Sequence, residues 1–172
     1  MLLLNKQRGN ASEDVIQLST HRGKVDEINR QKIIKLPGQE YVYTGETDGY
    51  FPDSMKKADD TLRLKQWAKV MMVTNDTFWK WINGSMGVIE NLWQDYVDVK
   101  IGGEVITLLP EMRGNKEITV SSKGKIIENI LWTYEQFPLK LAYAITVHKS
   151  QGMTFDACDL DLYNTFTWGQ AY

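Results

Sequence analysis

A polar run at residues 146–152 most constrains how this chain can fold, because it lies between two apolar segments. The run is Thr-Val-His-Lys-Ser-Gln-Gly, and a buried strand or helix would not need so many hydrogen-bonding side chains in succession. A surface loop or short helical turn that touches phosphate would need them, since Lys149 supplies a charge and Thr146 and Ser150 supply hydroxyl groups. Gly152 permits close backbone approach or a positive φ. The run alone fits a nucleotide phosphate, a DNA phosphate, or a polar turn without a ligand.

Composition favours a soluble globular protein of one domain or two small ones, since the 172 residues are 42% hydrophobic and 24% charged. The net charge of −2 argues against a free-standing DNA-binding domain, but not against a domain that supplies part of a nucleic-acid channel. No apolar run approaches the roughly 18 to 20 residues of a membrane span, so no membrane partner is expected. A single cysteine excludes an internal disulfide bond and favours a reducing, cytoplasmic setting.

Side chains that often carry other chemistry are expected to be structural here. Two histidines and one cysteine give no metal-ligand spacing, so no metal site is expected. Cys158 lies in an apolar segment and is expected to be buried as a small hydrophobe. Core packing is also expected for most tryptophans, although one or two could stack on a DNA strand; the residues concerned are Trp67, Trp79, Trp81, Trp93 and Trp132.

The first part of the chain predicts a strand, a turn and a helix. Residues 15–20 are typical of a short buried strand, residues 21–23 of a turn, and residues 24–36 of a helix. This arrangement is half of a βαβ unit, and the loops of such units often face a ligand. Residues 40–47 then predict another strand, and residues 44–60 a long surface loop.

The middle of the chain predicts several short strands. Apolar residues at 62–73 fit a β pattern, and residues 96–101 and 104–110 flank a Gly-Gly pair that predicts a hairpin. Residues 125–137 predict another strand or two. Short strands with glycine turns predict a small barrel of SH3 or OB type over residues 69–135.

The end of the chain returns to α/β character. Residues 139–144 predict one or two helical turns before the polar run, and residues 155–162 predict a buried strand. The predicted fold class is therefore α/β, with a discontinuous domain formed by residues 1–68 and 136–172 and the barrel at 69–135 inserted between them.

Residues 136–156 closely resemble motif V of the RecD/Pif-type superfamily 1 nucleic-acid helicases. Residues 166–172 resemble the start of the next motif of that family, whose arginine lies beyond Tyr172. The first of these two segments is the stronger indication of the resemblance, because its matching positions are consecutive.

Two further segments extend the resemblance over most of the chain. Residues 18–22 and 28–29 are similar to the motif IV region, where Arg22 stands at a position that is asparagine in many relatives. Residues 65–89 are similar to the entry into the SH3-like inserted subdomain of the family.

The resemblance implies the second RecA-like domain (a P-loop NTPase-type half-domain of the UvrD-like C-terminal kind) of an ATP-dependent DNA helicase that moves 5′ to 3′. An SH3-like β-barrel would be inserted in it. Single-stranded DNA and the first RecA-like domain of the same protein are the implied partners. No Gly-x-x-x-x-Gly-Lys-Ser/Thr sequence and no Walker B acidic pair occur in the chain. ATP and Mg²⁺ are therefore expected only with the full-length protein, and the fragment alone is expected to be inactive and to hold no catalytic residue.

The resemblance also implies residue roles. Contacts to the single-stranded DNA backbone are implied for Thr20, His21, Thr146, His148 and Ser150. Coupling between the DNA and the nucleotide is implied for Lys149, Gln151, Gly152 and Gln170, the last of which leads into the arginine motif.

Two other functions stay open on the sequence. The chain could be a stand-alone SH3- or OB-like module that binds nucleic acid or protein without motor activity, which weak ATP-independent binding mapped to the barrel would favour. It could also be a helicase-like subunit of a recombination exonuclease, although the sequence holds no recognisable cluster of nuclease carboxylates.

Overall fold

The computed structural model divides the chain into two compact units. Unit 1 comprises residues 1–31 and 142–172, and unit 2 comprises residues 32–141. The structure describes residues 15–49, 51–52, 55–120, 124–155 and 157–161. In chain order the elements are β1 (Ile16–Ser19), α1 (Arg22–Lys35), β2 (Tyr41–Thr44), β3 (Glu46–Asp48), β4 (Thr61–Leu64), β5 (Lys69–Met72), β6 (Met86–Leu92), β7 (Val97–Ile101), β8 (Glu104–Leu108), β9 (Glu111–Val120), β10 (Ile126–Gln136), β11 (Leu139–Leu141), β12 (Ala144–Thr146), α2 (Val147–Ser150) and β13 (Cys158–Asp161).

Unit 1 is built on a parallel sheet whose strand order is β12-β1-β13. The apolar side chains of Ile16 and Leu18 in β1 are buried, as are Ala144 and Ile145 in β12. The half-buried Gln17 and the buried Ser19 lie on the opposite face of β1, so both faces of this central strand are covered, as is typical of a parallel sheet. The strand predicted over residues 15–20 is thus confirmed.

Helix α1 follows β1 after a very short connection. Its first turn begins directly after His21, whose carbonyl oxygen accepts a hydrogen bond from the N–H group of Val25 at 3.2 Å. The predicted helix is confirmed, but the predicted turn at residues 21–23 is wrong, because Arg22 and Gly23 already belong to the helix. No helix among the described residues combines the length and the apolar character that crossing a membrane requires.

Unit 2 contains a five-stranded antiparallel sheet with the order β11-β5-β6-β7-β8. The predicted β7–β8 hairpin is confirmed, and its turn places Gly102 at φ 59° and Gly103 at φ 95°. Two successive positive φ angles give the turn a twist that matches the flanking strands, and glycine adopts them without steric cost. The sheet contributes to an apolar core that includes Leu62, Leu64, Val70, Met72, Ile89, Val97, Val99, Leu108, Phe137 and Leu139.

The strands of unit 2 do not close into a barrel within the described residues. Strands β11 and β8 end the five-stranded sheet on either side, and the remaining strands form the separate sheets β3-β10-β9 and β2-β4. A barrel requires its two end strands to pair with each other. The chain therefore has a mixed α/β fold, and the predicted SH3-like barrel is not confirmed.

The helical turns predicted over residues 139–144 are wrong. This segment forms β11, in which Leu139 pairs with Met72, and then β12, in which Ala144 pairs with Gln17. Pairing with strands far away in sequence outweighs the local helical preference of residues such as leucine and alanine.

Other boundaries also differ from the predictions. The strand predicted at residues 40–47 is divided at Gly45 into β2 and β3, and the predicted surface loop at 44–60 contains β3 and the buried side chain of Phe51. The segment predicted at residues 125–137 contains the single strand β10 (Ile126–Gln136), which pairs along its length with β9. Strand β9 was not predicted, because its sequence is polar and lacks an apolar alternation.

The core assignment is wrong for most of the tryptophans and for the cysteine. Of the five tryptophans that the structure describes, only Trp81 is buried, whereas Trp67, Trp79 and Trp93 are exposed and Trp132 is half-buried. Cys158 is exposed as well. An aromatic or apolar residue type does not by itself report burial, because folded proteins expose much apolar surface.

Candidate functional site

The carboxyl ends of the three parallel strands meet at one edge of the unit 1 sheet. Ser19, near the end of β1, lies opposite Thr146 of β12 on one side and Asp161 of β13 on the other. We call this edge, with residues 20–21 and 146–152 that follow the strands, the carboxyl edge. Ligands of open α/β sheets bind outside the carboxyl ends of the strands, so this is the expected position of a site.

Thr20 and His21 connect β1 to α1 at the carboxyl edge. The Thr20 side chain is buried, and its Oγ1 lies 2.9 Å from Nδ1 of the half-buried His21. The backbone N–H of His21 also points at Oγ of the buried Ser19, at 3.4 Å. These contacts orient the imidazole ring at the start of the helix.

Residues 146–152 form a compact turn rather than an extended loop. Thr146 caps α2, because its Oγ1 accepts the N–H of Lys149 at 3.4 Å. The Ser150 hydroxyl donates to the carbonyl oxygen of Val147 at 2.8 Å, and the N–H of Met153 donates to the carbonyl of Ser150 at 3.0 Å. The hydroxyl groups of Thr146 and Ser150 therefore hold the turn in shape as well as lying where a ligand could reach them.

The side chains that the turn exposes are those best suited to an anionic ligand. His148, Lys149 and Gln151 are exposed, and Gly152 takes a φ of 80° with open space around it. Within the described residues Lys149 forms no ion pair. A lysine with three donors and no carboxylate partner is suited to bind phosphate as a point charge.

Asn29 of α1 is a positioning residue to which the sequence analysis gave no role. Its Oδ1 accepts the N–H groups of Tyr143 at 3.0 Å and of Ala144 at 2.9 Å, and its Nδ2 donates to the carbonyl oxygen of Ala144 at 3.0 Å. One amide side chain thus holds the backbone that enters β12, directly before the polar turn. One indication of this role was visible in the sequence: Asn29 is a polar residue next to Ile28, on the half-buried side of the predicted helix.

Two ion pairs offset charge close to the start of α1. Lys24 pairs with Asp161 at the end of β13, and the exposed Arg22 lies 3.8 Å from Asp26 one turn further along the helix. The positive charge of Lys149 is not offset in this way. The described residues contain no group of three or more acidic, histidine or cysteine side chains that could hold a metal ion.

The structure brings eight of the nine predicted site residues to the carboxyl edge. Thr20 and His21 follow β1, and six of the others lie within residues 146–152. The ninth, Gln170, lies outside the described residues.

No model of a protein family matches the chain. Among curated proteins, the ATP-dependent DNA helicase Pif1 of Bdellovibrio bacteriovorus is 34% identical over 158 residues, which cover 86% of this chain and 33% of that helicase. The chain spans about a third of the length of the curated relatives it matches.

Solved structures of a Bacteroides Pif1 resemble the fold. The protein bound to single-stranded DNA matches with a TM-score of 0.78 and 31% identity, over 95% of this chain and 38% of the solved one. The complex with ADP-AlF4 matches with a TM-score of 0.80 and 31% identity, over 91% of this chain and 36% of the solved one.

Proposed function

This chain is a homologue of part of the Pif1-type DNA helicases, and from that premise we propose that it forms the DNA-gripping portion of an ATP-dependent DNA helicase. The observation that carries the proposal is the carboxyl edge, where Thr20 and His21 lie beside the polar turn at residues 146–152. The solved relative that binds single-stranded DNA supports the choice of ligand.

The DNA contacts would be made to phosphate and sugar. We assign them to Thr20, His21, Thr146, His148 and Ser150. Their hydroxyl and imidazole groups can bind phosphate and sugar, and the ammonium group of Lys149, at the junction between the DNA and the nucleotide, would add a charged phosphate contact. Binding should therefore depend on salt and little on sequence.

The nucleotide would be shared with another domain. Lys149, Gln151 and Gly152 would couple DNA to the nucleotide, with Gln170 leading into the same cleft. The unpaired Lys149 and the open backbone at Gly152 fit contact with a phosphate, but the chain has no P-loop to cradle ATP and Mg²⁺ by itself. ATP hydrolysis, performed with a first RecA-like domain, would supply the free energy for movement along the strand. A relative in complex with ADP-AlF4 supports nucleotide use.

The finer architecture is part of the proposal. Residues 1–68 with 136–172 would form the second RecA-like domain, and residues 69–135 an SH3-like insertion in it. Relatives of this kind are expected to move 5′ to 3′, and a cytoplasmic setting is expected.

Fluorescence anisotropy with a labelled oligo-dT strand tests the proposal on the chain itself. The His148→Ala variant should bind roughly two- to twelvefold more weakly, the range for loss of one hydrogen bond. The Lys149→Ala variant should lower the slope of log affinity against log salt by about 0.7, the value for one phosphate contact on a single strand. Lys35→Ala, which removes an exposed lysine at the end of α1, is the matched control.

Two outcomes would count against the proposal. Binding that is unchanged in both site variants would favour the alternative of a binding module elsewhere in the chain. In a complete enzyme that carries this chain, Lys149→Ala should also lower the DNA-stimulated ATPase rate without lowering the melting temperature. An unchanged ATPase rate would contradict the proposal that Lys149 couples DNA to the nucleotide.

A further inference from the structure

Unit 2 exposes two neighbouring aromatic side chains on the connection between β5 and β6. Phe78 is 80% exposed and Trp79 is 78% exposed. We call residues 74–85 the aromatic loop. Apolar rings of this size gain substantial free energy when they leave water, so two adjacent exposed rings indicate a surface that is covered when a ligand binds.

The aromatic loop is held by its own hydrogen bonds. The Asp76 carboxylate accepts the N–H groups of Phe78 at 2.9 Å and Lys80 at 3.1 Å, and the N–H of Asp76 donates to the carbonyl oxygen of Trp81 at 3.0 Å. At the base of the loop, the side chain of Asn75 accepts the N–H of Asn83 at 2.7 Å. The loop is therefore preorganised, which lowers the entropy that a ligand must overcome to bind.

Two neighbouring tryptophans in this loop have opposite environments. Trp81 is buried and belongs to the apolar core, which fastens the loop to unit 2. Trp79 is exposed and takes a φ of 61°, in the left-handed region that side chains of its size rarely adopt. The Trp79 side chain is largely exposed and is not among the residues of the apolar core.

The loop has no net charge, but its one positive side chain stands next to the exposed rings. Asp76 and Lys80 are its only charged residues, and the Asp76 carboxylate is directed at the N–H groups of the loop itself. Lys80 is exposed and forms no ion pair with the residues that the structure describes. The loop therefore offers two aromatic rings and one unneutralised positive charge in three consecutive positions.

We propose that the aromatic loop is a second contact for single-stranded DNA, at which Phe78 and Trp79 stack on unpaired bases and Lys80 binds an adjacent phosphate. Stacking platforms next to a positive charge are the means by which proteins hold single strands without reading sequence. The inference rests on the proposed function for the ligand class, but its residues lie in unit 2, outside the carboxyl edge.

Anisotropy titrations with oligo-dT and with an abasic strand of equal length test the proposal. The double variant Phe78→Ala, Trp79→Ala should bind oligo-dT at least about fivefold more weakly, at an unchanged salt slope, because it loses stacking but no phosphate contact. On the abasic strand, parent and double variant should bind equally. Lys80→Gln should lower the salt slope by about 0.7 on both strands.

Trp67→Ala is a matched control for the double variant. Trp67 is also an exposed tryptophan with a left-handed φ, of 70°, but it precedes β5 whereas the aromatic loop follows that strand. The variant should bind like the parent chain. Equal affinity of the double variant and the parent for oligo-dT would overturn the inference, and so would an equal loss on the abasic strand.

The outcomes separate this inference from the proposed function. Weaker binding by His148→Ala but not by the double variant would support the DNA contact at the carboxyl edge and contradict the one at the aromatic loop. Weaker binding by the double variant but not by His148→Ala would support the aromatic loop and contradict the carboxyl edge. A parent chain that binds no oligo-dT would overturn both.

Discussion

The carboxyl edge of unit 1 and the aromatic loop of unit 2 both present ligand-binding groups to solvent, but different forces hold them. The edge is positioned by parallel strand pairing and by Asn29, which binds Ala144 from 115 positions away in sequence. The aromatic loop is positioned by Asp76, whose carboxylate bonds N–H groups within four residues of it.

This difference has a consequence for mutations. Changes to the contacts that position the carboxyl edge, such as those of Asn29, should cost both stability and binding, because these contacts also hold unit 1 together. Changes at the exposed rings of Phe78 and Trp79 should cost binding with little loss of stability, because the core of unit 2 contains the buried Trp81 of the loop and not these two rings. The following variants test that contrast.

The largest effect is expected in the core of unit 2. Leu64 is completely buried, so Leu64→Ala should lower the free energy of unfolding by about 2–5 kcal/mol. The exposed Ile34 provides the control, since Ile34→Ala should change it by less than about 0.5 kcal/mol. Urea unfolding followed by circular dichroism measures both. Equal midpoints for the two variants would contradict the core described here.

A smaller loss is expected from Asn29 in unit 1. Asn29→Ala leaves two N–H groups and one carbonyl oxygen without their partner, and should cost about 1–3 kcal/mol. Asn29→Asp retains the acceptor for both N–H groups and should cost less. Gln31→Ala, on the exposed side of the same helix, is the control. Equal melting temperatures of Asn29→Ala and Gln31→Ala would contradict a role of the Asn29 side chain in holding β12.

Asp76 should separate binding from stability. Asp76→Ala removes the acceptor of two loop N–H groups, a change similar to loss of a helix cap, and should cost about 1 kcal/mol of stability. Its affinity for oligo-dT should nevertheless fall as far as that of the variant lacking both exposed rings, because the rings lose their fixed position. Asp76→Asn keeps a side-chain acceptor and should recover most of the affinity. Parent-like binding by Asp76→Ala would show that the loop needs no preorganisation.

The smallest effect is a pH dependence of unit 2 in alkaline solution. Burial, and after it the negative charge of Asp60, raises the pKa of Tyr134 to about 12. An unfolded tyrosine has a pKa of about 10, so the unfolded state loses its proton first. The stabilisation from the neutral side chain is complete below pH 10 and is lost as the pH rises towards 12.

Urea unfolding at pH 8 and at pH 11 measures this loss. Tyr134→Phe has no proton to release and should show a smaller decrease between the two values than the parent chain. An equal decrease in both proteins would assign the alkaline effect to other groups.

Local patterns were sufficient to predict β1, α1 and the β7–β8 hairpin. The first has apolar residues at Val15, Ile16 and Leu18, the second has helical spacing, and the third has two glycines at the positions where positive φ is needed. The polar run was predicted to form a loop or a short helical turn, and residues 147–150 form the short helix α2. These features depend on neighbours in sequence, which a single chain reveals.

Features that depend on distant partners were not predictable in the same way. Residues 139–144 form strands because Met72 and Gln17 are there to pair with them, and neither partner is visible in the local sequence. Exposure of Trp79 depends on a loop held by Asp76, and the role of Asn29 depends on where β12 enters the sheet. Residue type alone predicted a buried environment for Trp79, which is exposed, and no role for Asn29.

An amide-resolved nuclear magnetic resonance titration of the isotope-labelled chain with oligo-dT shows directly whether the carboxyl edge and the aromatic loop bind the strand. We expect saturable shifts at residues 20–21 and 147–152, and at the indole N–H of Trp79, with one common dissociation constant. Shifts that saturate elsewhere in the chain while residues 20–21 and 147–152 stay unchanged would contradict a DNA-binding carboxyl edge.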